Sequence, residues 1–308
     1  MKWQSRLPTG TKPEFVVVGG PTASGKSAVA LDLAKALNGS IICCDSVQLY
    51  RGFDVGSAKP TKAEQSQVPH LLFDEFSWNE SCDAAIYSLK ARESIQRERA
   101  SGRMPIVVGG TGLYLRALLG ESFDEDIPSD ESLRQELSAR DSDDLFAELK
   151  ALDPRRAAQL HRNDRFRVVR ALEINRLTGA PVREVSVSAA APRSHVMVFM
   201  NPAREVLHER INLRTRQMIN DGLLNEVRNL LASGVDPDCK PMRSIGYKEA
   251  VAMLRGELNE GELAEAIATA TRQYAKRQVT WFKKVLADSE LVGTEEVVDL
   301  ISQIRSLL

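Results

Sequence analysis

A phosphate-binding loop near the start of the chain constrains the fold more than any other feature. Residues 20–27 read GPTASGKS, which has the spacing G-x-x-x-x-G-K-S. An apolar run from Phe15 to Gly19 predicts a buried strand before it, and a helix-forming run follows from Lys26 to about Asn38. In that context the backbone N–H groups of the loop and the helix N-terminus cradle phosphate. The sequence therefore predicts an α/β core that binds an anionic phosphate group.

Alternating apolar and helix-forming runs continue this α/β pattern. Further strands are predicted at Ser40 to Cys44 and Pro105 to Val108, with helices at Cys82 to Ser101 and Leu113 to Leu119. Such alternation is typical of a parallel sheet with crossover helices. Helical periodicity dominates from residue 124 to about 178, and a loop-like stretch ends near residue 193.

A strand predicted at His195 to Met200 returns the chain to the core, and the rest is helical. We therefore expect an α/β fold: a P-loop NTPase-like parallel sheet core with a helical insertion domain and a helical C-terminal region. The expected bounds are 12–123 for the first part of the core, 124–190 for the insertion, and 191–308 for the core strand and C-terminal helices. The helices predicted in that last part cover residues 204–220, 223–233, 247–255 and 259–286.

Composition places the chain among ordinary soluble proteins. It has 308 residues, a formal net charge of −1 and 43% hydrophobic residues. No apolar run approaches the length of a membrane span, and the N-terminus has no apolar signal segment. The four cysteines show no C-x-x-C spacing, which fits a reducing compartment. We expect a cytoplasmic protein that acts as a monomer and has no membrane partner.

The loop lacks the acidic partner that phosphoryl-transferring enzymes usually carry. Those enzymes place an acid after a second apolar strand to hold Mg²⁺, whereas here the strand at 105–108 is followed by Gly-Gly-Thr111. Asp45 directly follows another predicted strand, so Asp45, Thr111 and the loop should converge at the carboxyl ends of the strands. From the residues alone, Asp45 fits a turn or helix cap equally well, Thr111 fits a turn, and Arg214 fits a solvated helix face.

Two stretches concentrate positive charge. Residues 162–176 hold five arginines and two acids, and residues 272–284 hold five basic residues, three aromatic residues and no acid. RNA binding needs cations and planar surfaces. Either stretch taken alone also fits a solvated helix face.

An ordered set of motifs resembles one enzyme family. The chain reads GPTASGKS at 20–27, DSVQLY at 45–50, DVGSAKP at 54–60, GGTGLY at 109–114, NDRFRVVRALE at 163–173, IGYKE at 245–249 and TRQYAKRQVTWFKK at 271–284. This order resembles the tRNA dimethylallyltransferases, or tRNA isopentenyltransferases, from Val16 to about Lys284. The resemblance implies that the loop holds the diphosphate of dimethylallyl diphosphate as a leaving group. The allyl group would pass to the N6 amine of the adenosine 3′ to the anticodon, in tRNAs that read codons beginning with U.

The resemblance also implies roles for individual residues. Asp45 is expected to accept a proton from the adenine amine, with Thr111 and Lys26 beside the reacting groups. The expected diphosphate contacts are Gly20, Pro21, Thr22, Ala23, Ser24, Gly25, Lys26, Ser27 and Arg214. Mg²⁺ is the expected cofactor, held by the Ser27 hydroxyl. The expected contacts with the tRNA anticodon loop are Asp45, Ser46, Val47, Gln48, Thr111, Arg134, Phe166, Arg167, Val168, Val169, Arg170, Lys276, Arg277 and Gln278. Relatives often carry glutamine at the position of Phe166.

Three other functions are compatible with the phosphate-binding loop. A small-molecule kinase that uses ATP accounts for the loop but leaves the later motifs without a role. Prenyl transfer to a free adenine nucleotide uses the same chemistry on a smaller acceptor. A nucleotide-switched RNA-binding module uses the basic stretches without any reaction. The helical insertion and the basic C-terminal helix favour tRNA as the acceptor.

Overall fold

The computed structural model describes residues 2–6, 12–120, 130–179, 194–286, 292–293 and 297–307. The chain forms two compact units, one made of Met1–Leu119 with Ala191–Leu308 and the other of Gly120–Ala190. The predicted loop after Gly179 and the acidic start of the predicted insertion lie outside the described residues.

One sheet forms the centre of the first unit. Its strands among the described residues are β1 (Lys2–Arg6), β2 (Phe15–Gly19), β3 (Gly39–Cys44), β4 (His70–Leu71), β5 (Met104–Gly109), β6 (His195–Phe199) and β7 (Val292–Gly293). Their order across the sheet is β4-β3-β5-β2-β6-β1-β7. The pairings within β4-β3-β5-β2-β6 are parallel, which confirms the predicted parallel core.

The N-terminal strand was not predicted. β1 pairs antiparallel with both β6 and β7, so the sheet is mixed at this side. The segment KWQSR has no apolar run that would mark a buried strand. Pairing of its backbone with β6 therefore decides its conformation.

Helices account for most of the remaining chain. Those of the first unit are α1 (Lys26–Ala36), α2 (Lys62–Gln65), α3 (Ala84–Ala100), α4 (Gly112–Leu118), α9 (Arg204–Asn220), α10 (Leu223–Ala232), α11 (Tyr247–Leu254), α12 (Glu260–Val285) and α13 (Val297–Leu307). Those of the second unit are α5 (Glu131–Ala139), α6 (Ser142–Leu152), α7 (Pro154–Gln159) and α8 (Arg165–Thr178). The helices predicted in the first unit are present, whereas α2 and α13 were not predicted. No helix among the described residues is long and apolar enough to cross a bilayer.

The register of three parallel strands brings their ends to one level. β5 lies between β3 and β2, and its Gly109 pairs with Gly19 on one side and with Cys44 on the other. β2 is buried along its length and carries three consecutive valines, as a central strand should. The segments that follow Gly19, Cys44 and Gly109 therefore meet at one edge of the sheet.

The second unit has its own core, formed by α5 to α8. Leu137, Leu145, Leu149, Val168 and Leu172 are buried together there. Each of its four described helices begins after an aspartate whose side chain accepts a backbone N–H of the first turn. Such caps satisfy donors that a helix start leaves open, so the local sequence defines where these helices begin.

A buried carboxylate joins two of these helices. Glu173 is fully buried and accepts hydrogen bonds from Arg134 and from the backbone N–H of Asp130, and it forms an ion pair with Arg170. Burial alone would raise the pKa of Glu173, but the bonds from Arg170, Arg134 and Asp130 together hold it below its ordinary value. The charged form of Glu173 therefore stabilises the second unit.

We expect Glu173→Ala to destabilise the second unit by about 2–4 kcal/mol, because two arginines and a backbone donor lose their acceptor. Because the pKa of Glu173 is lowered on folding, its contribution is present above about pH 4.5 and is lost as pH falls through the folded value. All three tryptophans lie outside the second unit, so amide hydrogen exchange in α8 is the suitable measurement. Glu131→Ala is the control, since this 70% exposed partner of Arg134 should contribute less than about 1 kcal/mol. Equal protection of α8 in both variants would contradict the expectation.

Candidate active site

The phosphate-binding loop has the backbone conformation that an anion nest requires. Gly20 has φ +147°, and a Cβ at this position would lie 2.4 Å from the carbonyl oxygen of Met200, which follows β6. Only glycine, which has no Cβ, fits so close to a neighbouring backbone. Ala23 is also left-handed, with φ 60°, and helix α1 begins at Lys26. The loop therefore directs N–H groups and a helix N-terminus to one place.

A pocket of about 270 Å³ opens over the start of α1. It is lined by Ala23, Gly25, Lys26, Ser27, Ala28, Arg210 and Arg214. Lys26 Nζ donates to the carbonyl oxygen of Pro21 at 2.6 Å. Burial, followed by the charge of Arg214, lowers the pKa of Lys26 to about 7, although the charge of Asp45 partly opposes this. The pocket is therefore electropositive and favours an anion, which would restore the charge on Lys26.

Two arginines one turn apart on α9 complete the pocket. Arg210 Nη1 donates to the carbonyl oxygen of Ser24 at 3.3 Å, and Arg214 Nη2 donates to that of Ser57 at 3.2 Å. Burial lowers the pKa of Arg214 from its ordinary value, and Asp45 partly offsets this. The prediction placed Arg214 near the phosphate-binding loop. It did not include Arg210, although the i,i+4 spacing of the two arginines is a signal that they share a helix face.

Asp45 lies in the turn that follows β3. Its Oδ1 accepts the backbone N–H groups of Val47 at 2.9 Å and Gln48 at 3.3 Å. This is the turn role that the sequence left open for Asp45. Among the described residues no hydrogen bond reaches Oδ2, so one oxygen orients the carboxylate and the other is available. The effect of its charge on Lys26 and Arg214 indicates that Asp45 lies near both cations.

Thr111 connects the loop after β5 to the turn of Asp45. Its Oγ1 accepts the N–H of Ser46 at 3.2 Å, and its own N–H reaches the carbonyl oxygen of Cys44 at 3.4 Å. Tyr274 of α12 lies beside Thr111. Burial, followed by the charge of Asp45, raises the pKa of Tyr274 to about 12, so its hydroxyl keeps its proton at neutral pH. The sequence did not predict Tyr274 as a site residue.

Gln278 is buried, whereas contact with RNA implies an exposed side chain. Its Oε1 accepts the N–H of Thr22 at 2.8 Å, and its Nε2 donates to the carbonyl oxygen of Gly110 at 2.9 Å. The side chain is 7% exposed. Gln278 therefore joins the phosphate-binding loop to the loop after β5. Its position one turn after Tyr274 on α12 shows which helix face is directed inward.

The other predicted RNA contacts differ in their exposure. Lys276 and Arg277 are exposed on α12. In the second unit, Phe166 is 77% exposed and the Arg167 side chain 65% exposed, whereas Val168 and Val169 are buried in the core. Arg134 and Arg170 are both paired with Glu173. The contact of Val168 and Val169 with RNA stays a prediction, and α8 directs these two side chains into the core of its unit.

The comparisons with known proteins agree on one family. A family model described as IPP transferase matches residues 48–285. The chain is 45% identical over 278 residues to tRNA dimethylallyltransferase 1 of Trichlorobacter lovleyi, covering 88% of this chain and 91% of that protein.

Solved structures show the same similarity. The tRNA isopentenylpyrophosphate transferase of Bacillus halodurans is 39% identical, with a TM-score of 0.65 over 89% of this chain and 87% of that one. A eukaryotic dimethylallyltransferase acting on tRNA is 28% identical, with a TM-score of 0.76 over 90% of this chain and 72% of that one. The family model and the curated relative cover most of the chain, and the chain therefore belongs to the IPP transferase family.

Proposed function

We propose that this chain transfers the dimethylallyl group of dimethylallyl diphosphate to N6 of the adenosine 3′ to the anticodon, in tRNAs that read codons beginning with U. The pocket at the start of α1 carries the proposal. It combines a phosphate-binding loop, Lys26 and two arginines with a nearby carboxylate in place of the acid that phosphoryl transfer uses. Membership of the family supports the same reaction.

The reaction uses these groups in defined ways. The adenine amine attacks the first carbon of the allyl group, and the bond from that carbon to the diphosphate oxygen breaks. Negative charge then grows on the diphosphate, where Lys26, Arg214 and the loop N–H groups stabilise it. The amine loses one proton as it bonds to carbon, and Oδ2 of Asp45 accepts that proton. Because Oδ1 is held by the turn, the carboxylate is oriented before the acceptor arrives.

Mg²⁺ fits this pocket as a partner of the substrate. Ser27 contributes a hydroxyl to the lining, while the described residues contain no group of three acidic, His or Cys side chains that could hold a metal by themselves. Mg²⁺ commonly keeps several waters and binds through substrate phosphates. When bound, it would neutralise charge on the diphosphate.

Contacts with RNA are part of the proposal, and each unit is considered by itself. The second unit has an exposed cation and a planar ring at Arg167 and Phe166 of α8. The first unit has exposed cations at Lys276 and Arg277 of α12. Arg134 and Arg170 are 29–32% exposed at their side chains and share Glu173, so they present a fixed pair of cations. We infer that the chain works on tRNA in the cytoplasm.

The direct test is prenyl transfer with purified protein, labelled dimethylallyl diphosphate and unmodified tRNA. Label should enter tRNA and should not enter a tRNA with guanosine at the target position. Label in free adenine nucleotide but not in tRNA would favour the smaller acceptor. A strict need for ATP, with phosphate transfer, would favour a kinase, and tRNA binding without any transfer would favour an RNA-binding module.

Lys26 should couple diphosphate binding to proton uptake. In the unliganded protein its pKa is about 7 because burial and Arg214 lower it, and a bound diphosphate should raise it again. We therefore expect the affinity for dimethylallyl diphosphate to fall as pH rises above about 7. Calorimetry in buffers of different ionisation heat measures the uptake.

Lys26→Ala should also lower transfer by about 10²- to 10³-fold.

Lys26→Arg is the matched control, because a guanidinium stays charged at every pH tested. The substrate titrates in the same way with both proteins, so the difference between them isolates Lys26. Equal proton uptake by wild type and Lys26→Arg would show that Lys26 is already charged in the unliganded protein.

Asp45→Asn should separate proton transfer from binding. The asparagine oxygen can still accept the two N–H groups of the turn, but the amide is far too weak a base to take the proton. We expect both substrates to bind within a few-fold of wild type, while single-turnover transfer falls by roughly 10²-fold or more. Asp45→Ala, which also removes the turn bonds, shows how much the turn itself contributes. A wild-type rate for Asp45→Asn would place the base elsewhere.

Arg167→Ala should weaken tRNA binding and reduce its dependence on salt. Each lost phosphate contact lowers the slope of log affinity against log salt by about 0.7–0.9. Arg170→Ala should weaken binding too, but it also disturbs the buried Glu173, so Arg167 gives the clearer test. Arg99→Ala, the same charge change at the end of α3, is the control and should leave the slope unchanged. An unchanged slope for Arg167→Ala would exclude this residue from the RNA interface.

A further inference from the structure

One backbone carbonyl serves two side chains of the site. The oxygen of Ser57 accepts from Arg214 Nη2 at 3.2 Å and from Gln48 Nε2 at 3.0 Å. Gln48 Nε2 also reaches the carbonyl oxygen of Ala58 at 3.1 Å. Residues 53–59, named here the carbonyl loop, thus hold a cation of the phosphate pocket and an amide of the Asp45 turn. Any shift of the carbonyl loop moves both.

A carboxylate from another helix holds the carbonyl loop by its backbone. Glu226 of α10 accepts the N–H groups of Asp54 at 3.0 Å and Val55 at 2.7 Å through Oε2. Its Oε1 accepts the N–H of Gly56 at 3.1 Å and the hydroxyl of Tyr247 at 2.6 Å. Four donors therefore converge on one side chain, and both of its oxygens are used twice.

Tyr247 of α11 donates the fourth of these hydrogen bonds to Glu226. Burial, followed by the charge of Glu226, raises the pKa of the Tyr247 hydroxyl far above its usual range, so the group keeps the proton that it donates. Its ring is fully buried, and a Cβ on Gly56 would lie 2.5 Å from it. The carbonyl loop therefore packs directly on the ring with no space for a side chain.

Lys59 anchors the far end of the carbonyl loop. Its Nζ contacts the carbonyl oxygen of Tyr50 at 2.9 Å, Asp54 Oδ1 at 2.6 Å and Asp74 Oδ1 at 2.5 Å. The Lys59 side chain is 3% exposed. The loop is thus bound at its N–H groups by Glu226 and at its C-terminal end by Lys59. The carbonyl oxygens of Ser57 and Ala58 accept from Gln48, and that of Ser57 also accepts from Arg214.

From these contacts we propose that Glu226, supported by Tyr247, is a positioning residue for the diphosphate site. It acts through the carbonyl loop on Arg214 and on Gln48, and it gives a role to the DVGSAKP and IGYKE motifs. The proposal rests on the proposed function for the identity of the ligand. It concerns binding geometry and involves no bond-making step of its own.

Glu226→Gln tests this positioning with little change in size. A glutamine keeps one acceptor oxygen and places an NH₂ group against two donors, whichever oxygen it replaces. Removal of such supporting groups commonly costs about 10- to 100-fold in binding or activity. We expect the Kd of dimethylallyl diphosphate to rise by about tenfold and the Kd of tRNA to change little. In an Arg214→Ala background the same substitution should weaken diphosphate binding by less than about threefold, because the two residues act on one contact.

Two further variants separate positioning from stability. Glu98→Gln changes a 3% exposed carboxylate at the end of α3, so it should lower the melting temperature without changing diphosphate binding. Tyr247→Phe keeps the ring on Gly56 and removes one donor, so it should give a smaller loss than Glu226→Gln and remain folded. An equal loss from Glu226→Gln with and without Arg214, or normal binding in both Glu226→Gln and Tyr247→Phe, would overturn the proposal.

Failure of the positioning role can be told apart from failure of the proposed reaction. If wild type binds dimethylallyl diphosphate but transfers nothing to tRNA, the proposed function fails, and positioning is still judged by the binding data. If wild type transfers normally and Glu226→Gln binds and transfers equally well, the positioning role fails alone. Wild type that does not bind dimethylallyl diphosphate would overturn both.

Discussion

The candidate site depends on the alignment of the carboxyl ends of the parallel strands β2, β3 and β5. Gly109 of β5 pairs with Gly19 of β2 and with Cys44 of β3, so the segments after these strands start side by side. A Cβ on Gly109 would lie 1.9 Å from the carbonyl oxygen of Cys44, and glycine is therefore required there. This close approach brings the phosphate-binding loop, the turn of Asp45 and Thr111 together without a long loop.

The cations beside the phosphate-binding loop favour an anionic ligand at this edge of the sheet. Lys26, Arg210 and Arg214 line one pocket, and the burial of Lys26 and its repulsion with Arg214 are unfavourable without a ligand. The lowered pKa of Lys26 is the physical sign of this imbalance. The proposed diphosphate would supply the missing negative charge, and part of its binding energy would come from relieving repulsion within the protein. Asp45 lies close enough to act on these cations.

Helices from the C-terminal part of the chain hold the loops of the N-terminal part. Gln278 bonds to Thr22 and Gly110 from α12, and Glu226 bonds to the N–H groups of residues 54–56 from α10. Buried backbone donors and acceptors must be satisfied. The C-terminal helices therefore do more than cover the sheet, since they supply hydrogen-bond partners that the site loops lack.

By itself the sequence determined the parallel core, the phosphate-binding loop and most helix positions, because apolar periodicity, glycine spacing and aspartate caps act locally. The order of its motifs also indicated the family. The tertiary structure decided which polar side chains face the site and which are used internally. Val168, Val169 and Gln278 were predicted to contact RNA, but packing buries all three. Tyr274 and Glu226 became visible only through their partners, whereas the spacing of Arg210 from Arg214 was a local signal that the prediction did not use. Such roles depend on contacts between residues far apart in the chain, and local patterns carry no information about those distances.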